Sequence, residues 1–233
     1  RSRFDKVHEF DAESRHLVLL CENEEGYRNL SLLVSAGWTE GFYIKPRIDL
    51  ELLRQYSGGL IALSACLAGE IPRRLRNGEY ENAKAYALEL SHIFGPDRFY
   101  LELQDHGIRD QAIVNQGILR IHRETGLPMV CTNDAHYLRK EDAEAHDVLL
   151  CIQTGKTIDD ENRMRYEPRN FYLRSEEEMA ALFAGYEGAL ENTSKIADMC
   201  NLDFSFGKYH LPEFDVPDGY TSLEYLQKLC DEG

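Results

Sequence analysis

Positive charge is scarce in this chain. Its 26 Lys and Arg face 41 Asp and Glu, for a formal net charge of −15, and so acidic a surface repels a phosphate backbone instead of releasing its counterions. Any contact with nucleic acid must then be local. The basic candidates are three short runs, Lys45-Pro46-Arg47, Arg73-Arg74-Leu75-Arg76 and Arg163-Met164-Arg165, and each reads first as a solvated loop or helix face. Long apolar runs are also missing: those present are strand-sized, which excludes a membrane-spanning helix. The chain opens on Arg1 with no signal-like segment behind it, so it reads as an internal fragment. Its cysteines, Cys21, Cys66, Cys131, Cys151, Cys200 and Cys230, never fall in a CxxC spacing and mostly sit inside apolar runs. That pattern excludes zinc fingers and a disulfide framework, and it points to reduced thiols in a cytoplasmic protein. There is no internal repeat and no low-complexity tract.

What the chain does have is alternation. Its 233 residues, 43% of them hydrophobic, suffice for an α/β domain with a sizeable core. His16 to Cys21 is a short apolar run, followed by Asn23 as a cap and a helix with Tyr27, Leu30 and Val34 on one face. A short helix follows Asp49, and Leu60 to Ala65 reads as a buried strand. Ala83, Ala87, Leu90 and Phe94 recur at helical spacing and stop at Gly95-Pro96. Phe99 to Leu103 is the next strand, Val114, Ile118 and Ile121 mark a helix closed by Gly126, and Met129 to Cys131 is a strand again. This βαβα order favours a largely parallel sheet with helices packed outside it. Further on, Ser175 and Glu178 form a capping box before the apolar stripe Met179, Leu182, Phe183 and Tyr186. A second helix covers Ala189 to Cys200. The stretch His210-Leu211-Pro212 to Asp218-Gly219 reads as a connector, and Ser222 as the cap of a final helix.

The chemistry-bearing pattern is Thr132-Asn133-Asp134-Ala135-His136-Tyr137, directly after the strand ending at Cys131. Side chains two apart on an extended chain share a face, so Asp134 and His136 leave the strand on one side. A carboxylate with an imidazole at the carboxyl end of a strand suits Zn, Mn or Fe. The plainer reading is a turn-capping Asp beside a packed histidine. Cys66, at the end of the strand Leu60 to Ala65, is either a soft metal ligand or a small buried hydrophobe. If the strands run in the same direction, Cys66, Asp134 and His136 converge. Asp105 and His106 follow the strand at Phe99; they either orient ligands from behind by hydrogen bonds or cap a turn. His146 and Lys156 read as packing or partner contacts.

Leu60-Ile-Ala-Leu-Ser-Ala-Cys66-Leu-Ala-Gly69-Glu70, Phe99 to Gly107, Thr132 to Leu138, His146 to Lys156 and Phe171 to Met179 occur in this order. Together, from about His16 onward, they resemble the PHP (polymerase and histidinol phosphatase) domain of the alpha subunit of bacterial DNA polymerase III. The resemblance implies an irregular (α/β)7 barrel, of which residues 1–165 would be the carboxyl-terminal part, with residues 166–233 a helical extension and connector toward an absent polymerase palm. It implies His16, Cys66, Asp134 and His136 as ligands of a divalent metal (Zn, Mn or Mg). His16 rests on the resemblance alone, because it precedes its apolar run. The family's cluster, which cleaves phosphoesters, is completed by an opening His-x-His motif, a later histidine and a glutamate. No His-x-His occurs here, so the implied site is incomplete. No Asp-x-Asp occurs either, and that is the arrangement polymerisation needs to clamp two metals; no residue of this chain is expected to catalyse synthesis.

Two functional expectations follow. One is a segment of a polymerase III alpha subunit carrying part of a metal site for 3′→5′ exonuclease proofreading, with DNA and other replicase subunits as partners. The other is a non-catalytic scaffold supporting the polymerase core or a separate proofreading subunit. A free-standing phosphoesterase is disfavoured, since Phe171 to Met179 and Asn192 to Cys200 resemble the polymerase branch. A barrel missing strands would expose sheet edges, so edge-mediated self-association of the fragment is also expected.

Overall fold

A computed structural model describes residues 2–209, 211 and 214–233. In chain order the elements are α1 (His8–Asp11), β1 (Val18–Cys21), α2 (Glu24–Thr39), α3 (Leu50–Gln55), β2 (Leu60–Leu63), α4 (Glu70–Arg76), α5 (Tyr80–Phe94), β3 (Phe99–Leu103), α6 (Arg109–Thr125), β4 (Met129–Cys131), α7 (Ala143–Thr154), α8 (Glu176–Leu182), α9 (Glu191–Met199) and α10 (Ser222–Glu232). Local chemistry sets many of the boundaries. Asn23 and Asp49 cap α2 and α3 by accepting from the amides of Gly26 and Leu52, and Gly126 ends α6 in the left-handed conformation at φ 74°. Ser175 and Glu178 form the expected capping box on α8. On α10 the cap is Thr221 rather than Ser222, paired reciprocally with Glu224.

The strands form one four-stranded sheet in the order β1-β2-β3-β4. β2, β3 and β4 are parallel, whereas β1 runs antiparallel to β2 with Val18 opposite Leu63. Period-two alternation divides the strand residues between two cores. Leu60, Ala62, Phe99, Leu101, Leu103, Met129 and Cys131 belong to the larger one, shared with residues of α2 to α6 and α8. Ile61, Leu63, Tyr100 and Val130 face the opposite way, onto Ile196, Met199 and Cys200. Both faces are thus covered, which is why these strands read as continuous apolar runs.

The expected mixed α/β fold is present, and among the described residues its strands form one open four-stranded sheet. The outer edge of β4 is taken by the segment entering α9: Cys131 N donates to Ala189 O at 3.0 Å, and Asn192 Nδ2 to Met129 O at 2.7 Å. The compact unit extends to Leu202, and Met179 and Phe183 are buried in its larger core. One expectation changes: α2 turns Leu33 inward and leaves Tyr27 and Val34 exposed. Gly26 fixes that rotation, since its backbone packs on Gly59 so closely that a Cβ would lie 1.9 Å from Gly59 O.

Residues 203–233 form a second unit, in which Phe214 stacks on Tyr225 of α10. The connector read at His210 and Pro212 lies outside the described residues. No helix among the described residues is long and apolar enough to cross a membrane.

Candidate metal centre

The carboxyl ends of β2, β3 and β4 lie at one edge of the sheet because the three strands are parallel. The antiparallel β1 begins where they end, so His16, which precedes its strand, arrives at the same edge as residues that follow theirs. His16 N donates to Ala68 O at 3.1 Å, and its Nδ1 lies 3.7 Å from Cys66 Sγ. A cleft of about 1330 Å³ opens there, with His16, Cys66, Glu102, Gln104, Thr132 and Asp134 on its wall.

Of the residues singled out in the sequence, the structure brings His16, Cys66 and Asp134 to this cleft. His136 is not among its lining residues. Its exposed ring packs on Tyr166 with centroids 4.6 Å apart and on Phe171 at 5.3 Å, beside His146 at 5.9 Å. Residues two apart share a face only on extended backbone, and Asp134 has φ 41°, in the left-handed region. Past this turn the His136 ring lies against the backbone of the same loop, its Nδ1 2.9 Å from Asp134 O. Asp105 does what a turn residue does, its Oδ1 accepting from Gly107 N at 2.8 Å. His106 is buried and bound at both ring nitrogens, Nε2 to Asn133 O at 2.9 Å and Nδ1 to Gln111 Nε2 at 2.8 Å, so it braces the backbone just before Asp134. Burial lowers its pKa below the ordinary histidine range.

Sequence reasoning passed over the centre of this network. Glu102, in the middle of β3, is buried and accepts from Ala65 N at 2.9 Å, from Gln104 Nε2 at 2.9 Å and from Thr132 Oγ1. Ser64 Oγ accepts in turn from Glu102 N at 2.8 Å. The signal was present: a carboxylate inside the otherwise apolar run Phe99 to Leu103 is costly unless hydrogen-bonded. Burial pushes the Glu102 carboxyl above its usual pKa against these hydrogen bonds, with the nearby Asp134 charge adding to the rise. Burial likewise raises the Cys66 thiol, and the Asp134 and Glu102 charges raise it further.

An imidazole, a thiol and a carboxylate on one wall are a donor set for a borderline-soft divalent ion. The His16–Cys66 separation fits two ligands of one tetrahedral ion, for which Zn–N and Zn–S bond lengths give about 3.5 Å. The buried Gln104 Oε1 has no hydrogen-bond partner among the described residues. Beyond that pair the fit is partial: among the described residues no three His, Cys, Asp or Glu side chains stand close enough to hold an ion together.

The basic runs are largely occupied internally. Arg47 donates to the carbonyls of Arg3, Asp5, Asp11 and Gly41, Arg73 and Arg74 grip Glu70, and Arg163 pairs with Asp147.

The PHP domain family matches residues 3–106, a span that contains His16 and Cys66. The DNA polymerase III alpha subunit of Borreliella burgdorferi is 48% identical over 94% of this chain and 19% of its own length. That of Thermus aquaticus is 45% identical over 98% of the chain and 19% of its own, and that of Treponema pallidum 41% over 100% and 20%. The chain therefore spans about a fifth of the length of these curated relatives. By these matches, the chain belongs to the PHP domain family in the form that domain takes in DNA polymerase III alpha subunits.

Proposed function

We propose that the chain is a segment of a replicative DNA polymerase alpha subunit, acting in the cytoplasm in DNA-templated synthesis with DNA and other replicase subunits as partners. In that setting it contributes part of a divalent-metal site for 3′→5′ exonuclease proofreading. The observation that carries this reading is the meeting of His16, Cys66 and Asp134, from the ends of three strands, on one cleft. A divalent metal bound there would polarise a phosphoryl oxygen and activate water for phosphoester cleavage. His16 and Cys66 would hold it, a pair that favours Zn or Mn over Mg, and Asp134 would offer a carboxylate from the opposite loop. The buried network around Glu102 and His106 fixes the two loops that carry these side chains.

One observation favours the scaffold reading instead: His136 is engaged with Tyr166 and Phe171, and no three-ligand group is assembled among the described residues. The discriminating experiment uses an alpha-subunit-length polypeptide carrying this segment. Cys66→Ser and Asp134→Asn are expected to reduce Mn- or Zn-dependent 3′→5′ degradation of a labelled single strand by about a hundredfold or more, with primer extension intact. Unchanged degradation, or none in the parent, leaves the scaffold. The chain alone is expected to extend no primer, since it has no Asp-x-Asp pair.

A further inference from the structure

We infer that Glu102 is a positioning residue that locks the Cys66 loop and the Asp134 loop into a single arrangement. Its relevance to a cation rests on the metal reading above; the clamp itself rests on hydrogen bonds alone.

Glu102 is only 5% exposed, and its partners are a backbone N–H, an amide and a hydroxyl, none of them cationic. A buried carboxylate so placed costs free energy relative to an apolar residue of similar size. What it does in return is tie three chain segments together. Ala65 N, immediately before Cys66, donates to Oε2, and Thr132 Oγ1, two residues before Asp134, donates to Oε1. The Gln104 amide closes the triangle, donating to Glu102 Oε1 at 2.9 Å and to Thr132 Oγ1 at 3.3 Å. Both loops carry a residue in the left-handed region, Ala65 at φ 64° and Asp134 at φ 41°. Such backbone, unfavourable for alanine especially, persists where surrounding contacts over-determine it. The ladders continue into both loops at Ser64 N, which donates to Tyr100 O, and at Thr132 N, which donates to Leu103 O; past those bonds Glu102 is a side chain that bonds both loops.

Peptide-resolved hydrogen exchange on the full chain tests the clamp without metal. Glu102→Leu and Thr132→Val should raise exchange of amides 64–66 and 132–134 by about tenfold or more while Tyr100 and Leu101 stay protected. Glu102→Gln, which keeps one acceptor oxygen of the same shape, should restore part of the protection. Acceleration spread evenly over β2 to β4, or none at either loop, overturns the clamp. If Glu102→Leu fails to fold, Thr132→Val and Ser64→Ala decide the same question. A second arm titrates Co2+ and follows the thiolate-to-metal absorption band, with Cys66→Ser identifying the sulfur. Glu102→Gln should weaken binding by about ten- to a hundredfold, and equal affinity with the same band overturns the link between clamp and cation. A parent chain that takes up no Co2+ defeats the metal reading, and the exchange experiment then judges the clamp alone.

Discussion

The turn at Cys66 shows how few atoms place a functional side chain. After Cys66 the chain folds back so tightly that Gly69 N donates to Cys66 O at 2.8 Å, and a Cβ on Gly69 would sit 2.3 Å from Ser64 O. The obstacle is backbone, so it cannot swing aside. Gly69→Ala is therefore expected to destabilise the fold by about 2 kcal/mol or more and to increase the reaction of Cys66 with a small alkylating reagent. Denaturant titration and peptide-resolved mass spectrometry measure both, and a variant as stable as the parent would show that the turn relaxes. Asp134 teaches the complementary lesson. Asp134 is itself left-handed, so its spacing to His136 is not the spacing of an extended strand from which the sequence reading argued a shared face.

Among the elements, direction matters more than identity. Each strand at the site is short, and what brings His16 to Cys66 is that β1 is reversed relative to β2. Helix ends are more autonomous. In α8 the Ser175 hydroxyl accepts from Glu178 N while the Glu178 carboxylate accepts from Ser175 N at 2.9 Å, and three consecutive glutamates, Glu176 to Glu178, occupy the positive end of the helix. Ser175→Ala should cost about 1 kcal/mol, read as a lower denaturation midpoint. Because Met179 and Phe183 follow in the larger core, the loss should be transmitted to the whole unit instead of fraying one end. An unchanged midpoint would mean that core burial alone sets this helix.

At the scale of the whole molecule, a net charge of −15 and a set of depressed carboxylates act in opposite directions. Asp147 titrates below its ordinary range because Arg163 binds it. For Glu70 and Asp49 burial alone would raise the pKa, but hydrogen bonds from Arg73 and Arg74 to the first, and from Arg3 and Leu52 N to the second, outweigh it. A folded-state pKa below the unfolded one contributes stability that is present above the ordinary carboxylate value of about 4 and is lost as pH falls through the depressed value. Mutual repulsion eases as the first exposed carboxylates protonate. The urea midpoint should accordingly rise slightly from neutrality to about pH 5 and fall below about pH 4. A midpoint still climbing at pH 3 would show that repulsion outweighs the ion pairs.

The sequence by itself determined whatever depends on near neighbours along the chain. Strand positions, the Asn23, Asp49 and Ser175 caps, the Gly126 stop and the ladder of apolar residues in α5 and α6 all follow from side chains within a turn or two of one another. The motif segments around Cys66 and Asp134 were legible for the same reason, and so was the family they resemble. Tertiary structure decided what depends on residues far apart in the chain. The reversal of β1, the rotation of α2 around Gly26 and the occupation of the β4 edge by Ala189 and Asn192 follow from packing and hydrogen bonds across long stretches of chain. So does the role of Glu102, whose neighbours in sequence are apolar and whose partners Ala65 and Thr132 lie more than 29 residues away on either side, the hydrogen bonds spanning 37 and 30 positions. Only folding could bring those groups within hydrogen-bonding distance, because a buried charge finds its partners by burial and not by spacing.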